Sequence, residues 1–273
     1  MKAARALPVL MYHHVSPAPG LVTVSPATFA GHMRALAARG WRAVGTADFE
    51  RFLAGEPLPA KSVMITFDDG YLDNWVHAHP ILAETGMKAV VFAVTGWLGD
   101  GPARAKAGEP GAPATPEHKA CMAAVREGRA DRAMLRWSEA AAMQEAGTAE
   151  FHSHTHTHTR WDQKMPRGAE RDAALAADLA ASRGALAARL GGATRHLCWP
   201  QGYYDDDYRR VAREAGFRVF YTTEKGVNRP GADPERIGRI VTKERDGAWL
   251  ASRVRIYASP VLGRLYTLLR GQR

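Results

Sequence analysis

Short apolar runs alternate along this chain with longer segments in which apolar residues recur every three or four positions. Short runs of this kind are typical of buried strands, and the periodic segments are typical of helices. The predicted strands are 7–12, 43–45, 63–67, 88–94, 196–199 and 219–222, and the predicted helices are 26–39, 48–53, 74–84, 117–127, 138–145, 167–190 and 208–215. Strands that alternate with helices form a parallel sheet covered by helices. We therefore expect an α/β fold, either a barrel or a doubly wound sheet.

Two adjacent carboxylates, Asp68 and Asp69, follow the apolar run 63–67. Neighbouring residues on an extended backbone point to opposite sides, so one acid could hold a metal ion while the other faces a water. Both candidate folds place their active sites at the carboxyl ends of parallel strands. Asp-Asp-Gly is also a good turn sequence in its own right, so the pair predicts a site only together with ligands elsewhere.

Histidines occupy every second position from His152 to His158. His154 and His158 are four residues apart, as are His152 and His156, so the spacing alone does not choose between the two pairs. Two neutral imidazoles and one carboxylate make a three-ligand site with room for a water, which is typical of a catalytic metal centre. Such an ion lowers the pKa of the water and polarises a substrate carbonyl. With the acids, the histidines predict a metal-dependent hydrolase.

The net positive charge of the chain bears on which molecules it could bind. Of the 273 residues, 37 are Lys or Arg and 28 are Asp or Glu, which gives a formal net charge of +9. This charge favours an anionic partner or an arginine-rich solvated surface. No nucleic-acid motif accompanies the basic residues, so we expect no nucleic-acid partner.

The cysteines and the N-terminus bear on the compartment. Cys121 and Cys198 are far apart in sequence and fit a reducing compartment rather than a disulfide framework. The N-terminus goes directly into the first predicted strand without the features of a secretory signal, and no stretch reaches the length of a membrane span. We expect a cytoplasmic protein, either free or peripheral at the inner membrane surface.

The last residues differ in pattern from the rest. We predict a main domain over 1–249 and a basic amphipathic tail over 250–273, in which leucines and tyrosines mingle with arginines. Such a tail can lie on an anionic membrane, or it can pack on the barrel as a terminal helix. Pro260 divides it into two short helices at most.

Four segments carry a resemblance to a known family. Residues 66–71, Thr-Phe-Asp-Asp-Gly-Tyr, resemble the first signature of the NodB-homology polysaccharide deacetylases, carbohydrate esterase family four. Residues 153–158 resemble the second signature, and 199–203, Trp-Pro-Gln-Gly-Tyr, resemble the third, a groove wall. The opening 10–15, Leu-Met-Tyr-His-His-Val, is similar to the branch that deacetylates poly-N-acetylglucosamine. The resemblance spans about residues 7–245.

The resemblance implies a distorted (β/α)7 barrel and one divalent ion. It favours Asp69, His154 and His158 as the ligands, and Zn²⁺ as the ion, although this donor set also accepts Co²⁺, Ni²⁺ or Fe²⁺. Asp68 would be the general base that takes a proton from the attacking water. A backbone N–H at Gln201 could donate a hydrogen bond to the oxyanion, and the products would be acetate and a free amine. The implied substrate-binding residues are Tyr71, Trp199, Pro200, Gln201, Gly202 and Tyr203.

Two positions depart from the family pattern. Cys198 stands where many members have an arginine that orients the base, and the nearest arginine in sequence is Arg195. The late histidine that often serves as general acid is absent from 236–242. His13 or His14 could replace it, or either could be a structural residue.

The leading substrate is an N-acetylhexosamine in a glycan or in a nucleotide- or lipid-linked glycan precursor. An amidase acting on a small non-sugar substrate is one alternative, since this fold hosts several chemistries. A catalytically inactive glycan-binding protein is the other, because two helper residues of the family are missing.

Overall fold

The computed structural model describes residues 2–270. Its strands are β1 (Val9–Tyr12), β2 (His14–Val15), β3 (Thr23–Val24), β4 (Arg42–Ala43), β5 (Ser62–Asp69), β6 (Ala89–Ala93), β7 (Ala149–Ser153), β8 (His196–Cys198), β9 (Val219–Tyr221) and β10 (Ile240–Val241). The helices are α1 (Pro26–Ala38), α2 (Thr46–Leu53), α3 (His79–Thr85), α4 (His118–Arg126), α5 (Trp137–Glu145), α6 (Trp161–Lys164), α7 (Ala169–Leu190), α8 (Asp206–Glu214), α9 (Gly247–Tyr257) and α10 (Pro260–Arg270). Every predicted helix and strand has a counterpart within a few residues.

Seven strands form one curved sheet in the order β10-β1-β5-β6-β7-β8-β9, with β4 added beside β5. Each neighbouring pair in this sheet is parallel. Ile237 forms a parallel bridge to Tyr221, so the chain just before β10 links the two edges of the sheet. The sheet with its surrounding helices confirms the predicted distorted (β/α)7 barrel.

The central strand β5 is buried along its whole length, as expected for a parallel strand covered on both faces. Val63, Ile65 and Phe67 pack in the core between the sheet and the helices. Met64 faces the interior of the barrel with residues of β1, β6 and β9. Because side chains alternate along a strand, Asp68 also belongs to the interior side. Both acids lie within β5 rather than just past it, which corrects the predicted end of this strand.

The start of α1 shows how local sequence sets a boundary. Ser25 lies at the N-cap, where its Oγ accepts a hydrogen bond from the Thr28 N–H at 3.2 Å. Pro26 follows at the first helical position, where a missing N–H costs nothing. Glu244 contacts Ser25 and Thr28 in turn, so the cap also holds the segment that leads into α9.

The C-terminal residues form two helices, with Pro260 as the first residue of the second. This confirms the predicted interruption. Leu250, Val254 and Tyr257 of α9 are buried in the core, so α9 packs on the barrel, and the predicted boundary between 249 and 250 falls inside it. No helix within residues 2–270 combines the length and the apolar character needed to cross a bilayer.

Candidate metal centre and catalytic cleft

Three predicted ligands converge at the carboxyl ends of β5 and β7. Asp69 Oδ1 lies 3.4 Å from His154 Nε2 and 3.5 Å from His158 Nε2, and the donor atoms of the three side chains all lie within 4.8 Å of one another. Asp69 Oδ1 is buried and has no hydrogen-bond partner in the described part of the chain. A buried carboxylate oxygen without a partner is costly, so a bound cation would satisfy it.

The chemistry of the donors fits a divalent ion. His154 Nδ1 donates a hydrogen bond to the backbone carbonyl of Cys198 at 2.7 Å, which leaves the Nε2 lone pair directed at Asp69. Burial lowers the pKa of His158 to about 4 despite the opposing charge of Asp69, so its ring is neutral. Two neutral imidazoles and one carboxylate form a typical catalytic zinc donor set.

The ligand loops adopt unusual backbone conformations. Asp69, Thr155 and His158 have φ angles of 72°, 65° and 59°, in the left-handed region that non-glycine residues seldom enter. Asp178 of α7 accepts hydrogen bonds from the backbone N–H of His156 at 2.8 Å and of Thr157 at 2.9 Å. Thr155 Oγ1 accepts one from the His158 N–H at 3.0 Å. These contacts hold the strained loop in place, as is common at functional sites.

The positive φ of Asp69 also changes the relation between the two acids. Extended geometry predicts that Asp68 and Asp69 point to opposite sides, but both line the same cleft. The prediction of opposite directions is therefore wrong, because the strand turns at its last residue.

Asp68 is held by an arginine that the sequence analysis did not identify. Arg239 Nη1 donates to Asp68 Oδ1 at 2.6 Å, and Nη2 donates to Oδ2 at 2.8 Å. Both side chains are buried. Burial would raise the pKa of Asp68, but the charge and hydrogen bonds of Arg239 hold that pKa well below its usual range. The carboxylate is therefore ionised and fixed in orientation.

The position of Arg239 follows from the short link that closes the barrel. Its backbone N–H donates to the Glu224 carbonyl at 2.9 Å, and its Nε donates to the Thr222 carbonyl at 2.8 Å. A Cβ on Gly238 would lie 2.4 Å from the Gly226 Cα, so only glycine permits this close approach. The arginine that binds Asp68 is thus supplied from before β10, whereas Arg195 pairs with Glu50 at 3.5 Å on the surface.

A second group of potential ligands, Asp68, His154 and Cys198, also lies within reach of a single ion. Arg239 already occupies both oxygens of Asp68. Burial raises the pKa of the Cys198 thiol well above its ordinary value, and a protonated thiol is a poor ligand. The Asp69 group is the better metal site.

The two early histidines have different surroundings. His13 lines the cleft, and its Nε2 lies 3.7 Å from Asp68 Oδ2. Burial lowers the pKa of His13, although Asp68 and Asp69 act to raise it. His14 is buried with its Nδ1 2.6 Å from Asp73 Oδ2, and its ring stacks on Tyr71 at 3.6 Å between centroids. Of the two, only His13 is placed beside the proposed base.

The catalytic cleft has a volume of about 280 Å³. Among the predicted substrate-binding residues, Tyr71, Trp199, Gln201 and Gly202 line it, whereas Pro200 and Tyr203 do not. Tyr203 instead lies beneath the Arg160 guanidinium, 4.1 Å from the ring centroid, and Pro200 is buried. Lining residues that the sequence analysis did not predict are Leu21, Val22, Trp97, His118, Met122 and Thr223. Most of them come from loops, whose approach to the cleft depends on tertiary packing.

Two N–H groups of the groove wall are available to a ligand. The backbone N–H of Gln201 makes no hydrogen bond within residues 2–270, and its φ is 55°. Trp199 Nε1 is buried without a hydrogen-bond partner among the same residues. Gly202 has a φ of 72°, and a Cβ there would lie 2.2 Å from Thr223 Oγ1, so this turn requires glycine.

The family profile described as "Polysaccharide deacetylase" matches residues 55–220. Bacillus subtilis (strain 168) YxkH, which is named for the same family, is 26% identical over 222 residues, covering 81% of this chain and 66% of YxkH. The poly-β-1,6-N-acetyl-D-glucosamine N-deacetylase of Staphylococcus aureus (strain N315) is 22% identical over 226 residues, covering 81% of this chain and 68% of that enzyme. About a third of each relative therefore lies outside the match.

Solved structures resemble the whole chain. IcaB from Ammonifex degensii superposes with a TM-score of 0.73 and 25% identity, covering 94% of this chain and 99% of that one. A de-N-acetylase from Aggregatibacter actinomycetemcomitans superposes with a TM-score of 0.70 and 20% identity, covering 91% and 99%. The second match supports the fold alone.

Replacing Arg239 by Met should leave the Asp68 carboxylate buried without its partner. We expect the free energy of unfolding at pH 7 to fall by about 3–5 kcal/mol. Because the pKa of Asp68 is depressed in the folded protein, the pair stabilises above the unfolded-state pKa of about 3.9, and this contribution is lost as the pH falls below that value. Urea unfolding between pH 3 and pH 7 would measure both effects.

Arg195→Met is the matched control, since Arg195 belongs to an exposed pair and its loss should cost at most about 1 kcal/mol. Equal costs for the two substitutions would contradict the role given to Arg239.

The metal site makes a prediction that needs no substrate. Wild-type protein loaded with Zn²⁺ and dialysed should retain a single equivalent, measured by mass spectrometry of the metal. Asp69→Asn and His154→Ala should lose it, because the first removes the negative charge of the carboxylate ligand and the second removes a donor atom. Asp68→Asn and Cys198→Ala should keep it. Loss of the ion in the last two variants, with retention in Asp69→Asn, would assign the metal to the other group.

Proposed function

The chain belongs to the polysaccharide deacetylase family, and from that premise we propose that it is a metal-dependent deacetylase acting on an N-acetylhexosamine. The substrate would be a glycan or a lipid-linked glycan precursor, and the released product would be acetate. The observation that carries this proposal is the convergence of Asp69, His154 and His158 beside Asp68, which Arg239 orients.

Asp69, His154 and His158 would hold one divalent ion. Zn²⁺ is the leading candidate, and Co²⁺, Ni²⁺ and Fe²⁺ are the alternatives. Such an ion supplies Lewis-acid polarisation of the acetyl carbonyl and lowers the pKa of a water. Side chains and backbone groups of the cleft would transfer the protons and stabilise the negative charge on the carbonyl oxygen.

Asp68 is the general base. Its low pKa keeps it ionised at neutral pH, and each oxygen that accepts from Arg239 retains a second lone pair for a proton. A carboxylate with a low pKa is a weak base, so it suits a water whose own pKa has been lowered. Asp68 takes the proton of the attacking water as the oxygen bonds to the acetyl carbon.

Negative charge then develops on the carbonyl oxygen. The free N–H of Gln201 can donate a hydrogen bond to it, and a fixed donor aimed at developing charge typically contributes a factor of 10²–10³ in rate. The strained turn at Gln201 and Gly202 would keep this N–H directed into the cleft.

His13 is the general acid in this proposal. The C–N bond breaks only when the amine nitrogen receives a proton. His13 Nε2, which lies 3.7 Å from Asp68 Oδ2, can deliver one and recover it from Asp68. The balance is one water and one acetamide consumed, with one acetate anion and one protonated amine formed.

The sugar would lie against Tyr71, Trp199, Gln201 and Gly202, which line the cleft. Pro200 and Tyr203 would support this wall from behind. The Staphylococcus aureus relative is named for poly-β-1,6-N-acetyl-D-glucosamine, which makes an N-acetylglucosamine the first substrate to test.

We place the enzyme in the cytoplasm, peripheral to the anionic inner membrane surface, with no nucleic-acid partner. Cys121 and Cys198 are buried and form no disulfide, which is consistent with a reducing compartment.

Two alternatives compete with this function. An amidase on a small non-sugar substrate would use the same centre. An inactive glycan-binding protein was suggested by two missing helper residues, an arginine and a late histidine. Because Arg239 binds Asp68 and His13 lies beside it, both would have substitutes in our proposal, and the argument for inactivity weakens.

Acetate release tests the proposal. Wild-type protein with Zn²⁺ should release acetate from N-acetylglucosamine oligomers or a lipid-linked N-acetylglucosamine. Asp68→Asn should lower kcat by about 10²–10⁴-fold, because the proton acceptor is lost. A chelator should abolish turnover, and added Zn²⁺ should restore it.

Release of ammonia from small primary amides without acetate release from any sugar would favour the amidase. Glycan binding without turnover in metal-loaded wild type would favour the binding protein.

A further inference from the structure

A second cleft, of about 590 Å³, opens between β10 and the helices α9 and α10. Four cationic side chains line it, those of Lys225, Lys243, Arg245 and Arg253. No carboxylate from the described residues contributes to its lining. We call this the basic cleft.

Most of these charges are not neutralised. Lys243, Arg245 and Arg253 form no ion pair with any residue between 2 and 270. By contrast, Arg209 and Arg213 on α8 both pair with Glu235. An uncompensated group of like charges attracts an anionic ligand.

The acids that alternate with these cations in sequence are engaged elsewhere. Glu244 accepts hydrogen bonds from the backbone and side chain of Ser25, each at 2.7 Å. Asp246 caps α9 by accepting from the Trp249 N–H at 2.8 Å. Within residues 243–246, the side chains of Lys243 and Arg245 therefore line the basic cleft, whereas the carboxylates of Glu244 and Asp246 do not.

Aromatic rings hold part of the wall in place. The Arg253 guanidinium lies 4.7 Å from the Tyr266 ring centroid and 5.7 Å from that of Trp249. Stacking of this kind restricts the guanidinium while leaving its N–H groups free to donate. Arg253 is therefore ordered before any ligand arrives.

Short stretches of chain connect the basic cleft with the catalytic cleft. Thr223 lines the catalytic cleft and Lys225 the basic one, so their Cα atoms are within ~7 Å of each other. Lys243 and Arg245 follow the carboxyl end of β10, which is parallel to β1, so both clefts open at the same end of the barrel.

We propose that the basic cleft binds the phosphate or diphosphate of a substrate whose N-acetylhexosamine occupies the catalytic cleft. This inference rests on the proposed function. Lysine and arginine side chains are well suited to phosphate, and arginine binds it in a bidentate manner. A diphosphate-linked sugar can come from a nucleotide carrier or from a lipid carrier.

The surface of α10 favours the lipid carrier. Its exposed apolar side chains are Val261, Leu262, Leu265, Leu268 and Leu269, of which Leu268 is 81% exposed. Their spacing places them on one helix face, and Tyr266 on the same helix lines the basic cleft. This apolar helix face lies beside a cleft in which Lys243, Arg245 and Arg253 form no ion pair within residues 2–270. An apolar helix face next to cationic side chains is the arrangement that binds an anionic lipid surface.

Deacetylation kinetics on three substrates test the proposal. They are a short-chain polyprenyl-diphosphate N-acetylglucosamine, the corresponding uridine-diphosphate sugar and a neutral N-acetylglucosamine oligomer. Lys243→Gln combined with Arg245→Gln should raise KM at least tenfold for the phosphate-bearing substrates and leave the neutral oligomer unchanged. Both residues are exposed, so the variant should fold. Arg209→Gln with Arg213→Gln removes the same charge elsewhere and should change none of the three.

Binding of inorganic pyrophosphate, measured by calorimetry, separates this inference from the proposed function. Wild type and Asp68→Asn should bind it, and the Lys243/Arg245 double variant should not. Such binding without acetate release from any substrate would reject the proposed function and keep the phosphate site. Equal pyrophosphate binding in wild type and the double variant, or an equal KM change on the neutral oligomer, would overturn the phosphate site.

The carrier is decided by the two phosphate-bearing substrates. A lower KM for the lipid-linked substrate, lost in Leu265→Ser with Leu268→Ser, supports the lipid carrier. A lower KM for the nucleotide sugar overturns that assignment.

Discussion

Two carboxylates, Asp68 and Asp69, lie buried side by side at the end of β5, and their charges must be compensated. Arg239 compensates Asp68 through two short hydrogen bonds. Asp69 Oδ1 lies 3.4 Å and 3.5 Å from the imidazole nitrogens of His154 and His158 and forms no hydrogen bond within residues 2–270. Since an isolated buried carboxylate is strongly unfavourable, this asymmetry gives the neighbours different roles. We propose that Asp68, which is ionised and fixed by Arg239, is the base, and that Asp69 is a metal ligand.

Much of the surrounding structure follows from that requirement. The short link from Ile237 to β10 closes the barrel and brings Arg239 into its interior, where the contact between Gly226 and Gly238 lets the backbone come close enough. On the other side, the histidine loop accepts left-handed conformations because Asp178 secures it. The site is therefore built from segments that are distant in sequence and that meet only when the barrel closes.

Periodic apolar segments are a local signal, so the sequence was sufficient for an α/β fold with a parallel sheet. The choice of a barrel, and of His154 and His158 over His152 and His156, came from the resemblance to the family. Arg239 had no such signal: it precedes a strand of two residues and binds an acid 171 positions away. Because Cys198 stands at the position of the family's arginine, the sequence suggested that this arginine is missing. In the structure, Arg239 from another segment binds Asp68. Pro200 and Tyr203 were selected as cleft residues by their motif, but the turn at Gln201 directs them away. Trp97, on a loop, and His118, at the start of α4, reach the cleft through tertiary packing, which no local pattern reveals.

The most direct measurement is a crystal structure of the Zn²⁺-loaded protein with anomalous diffraction at the zinc edge. The account predicts the strongest anomalous peak about 2.0–2.2 Å from an Asp69 oxygen and from Nε2 of His154 and His158, with Arg239 still bound to both oxygens of Asp68. A peak between Asp68, His154 and Cys198, or an ion bound away from this cleft, would contradict it.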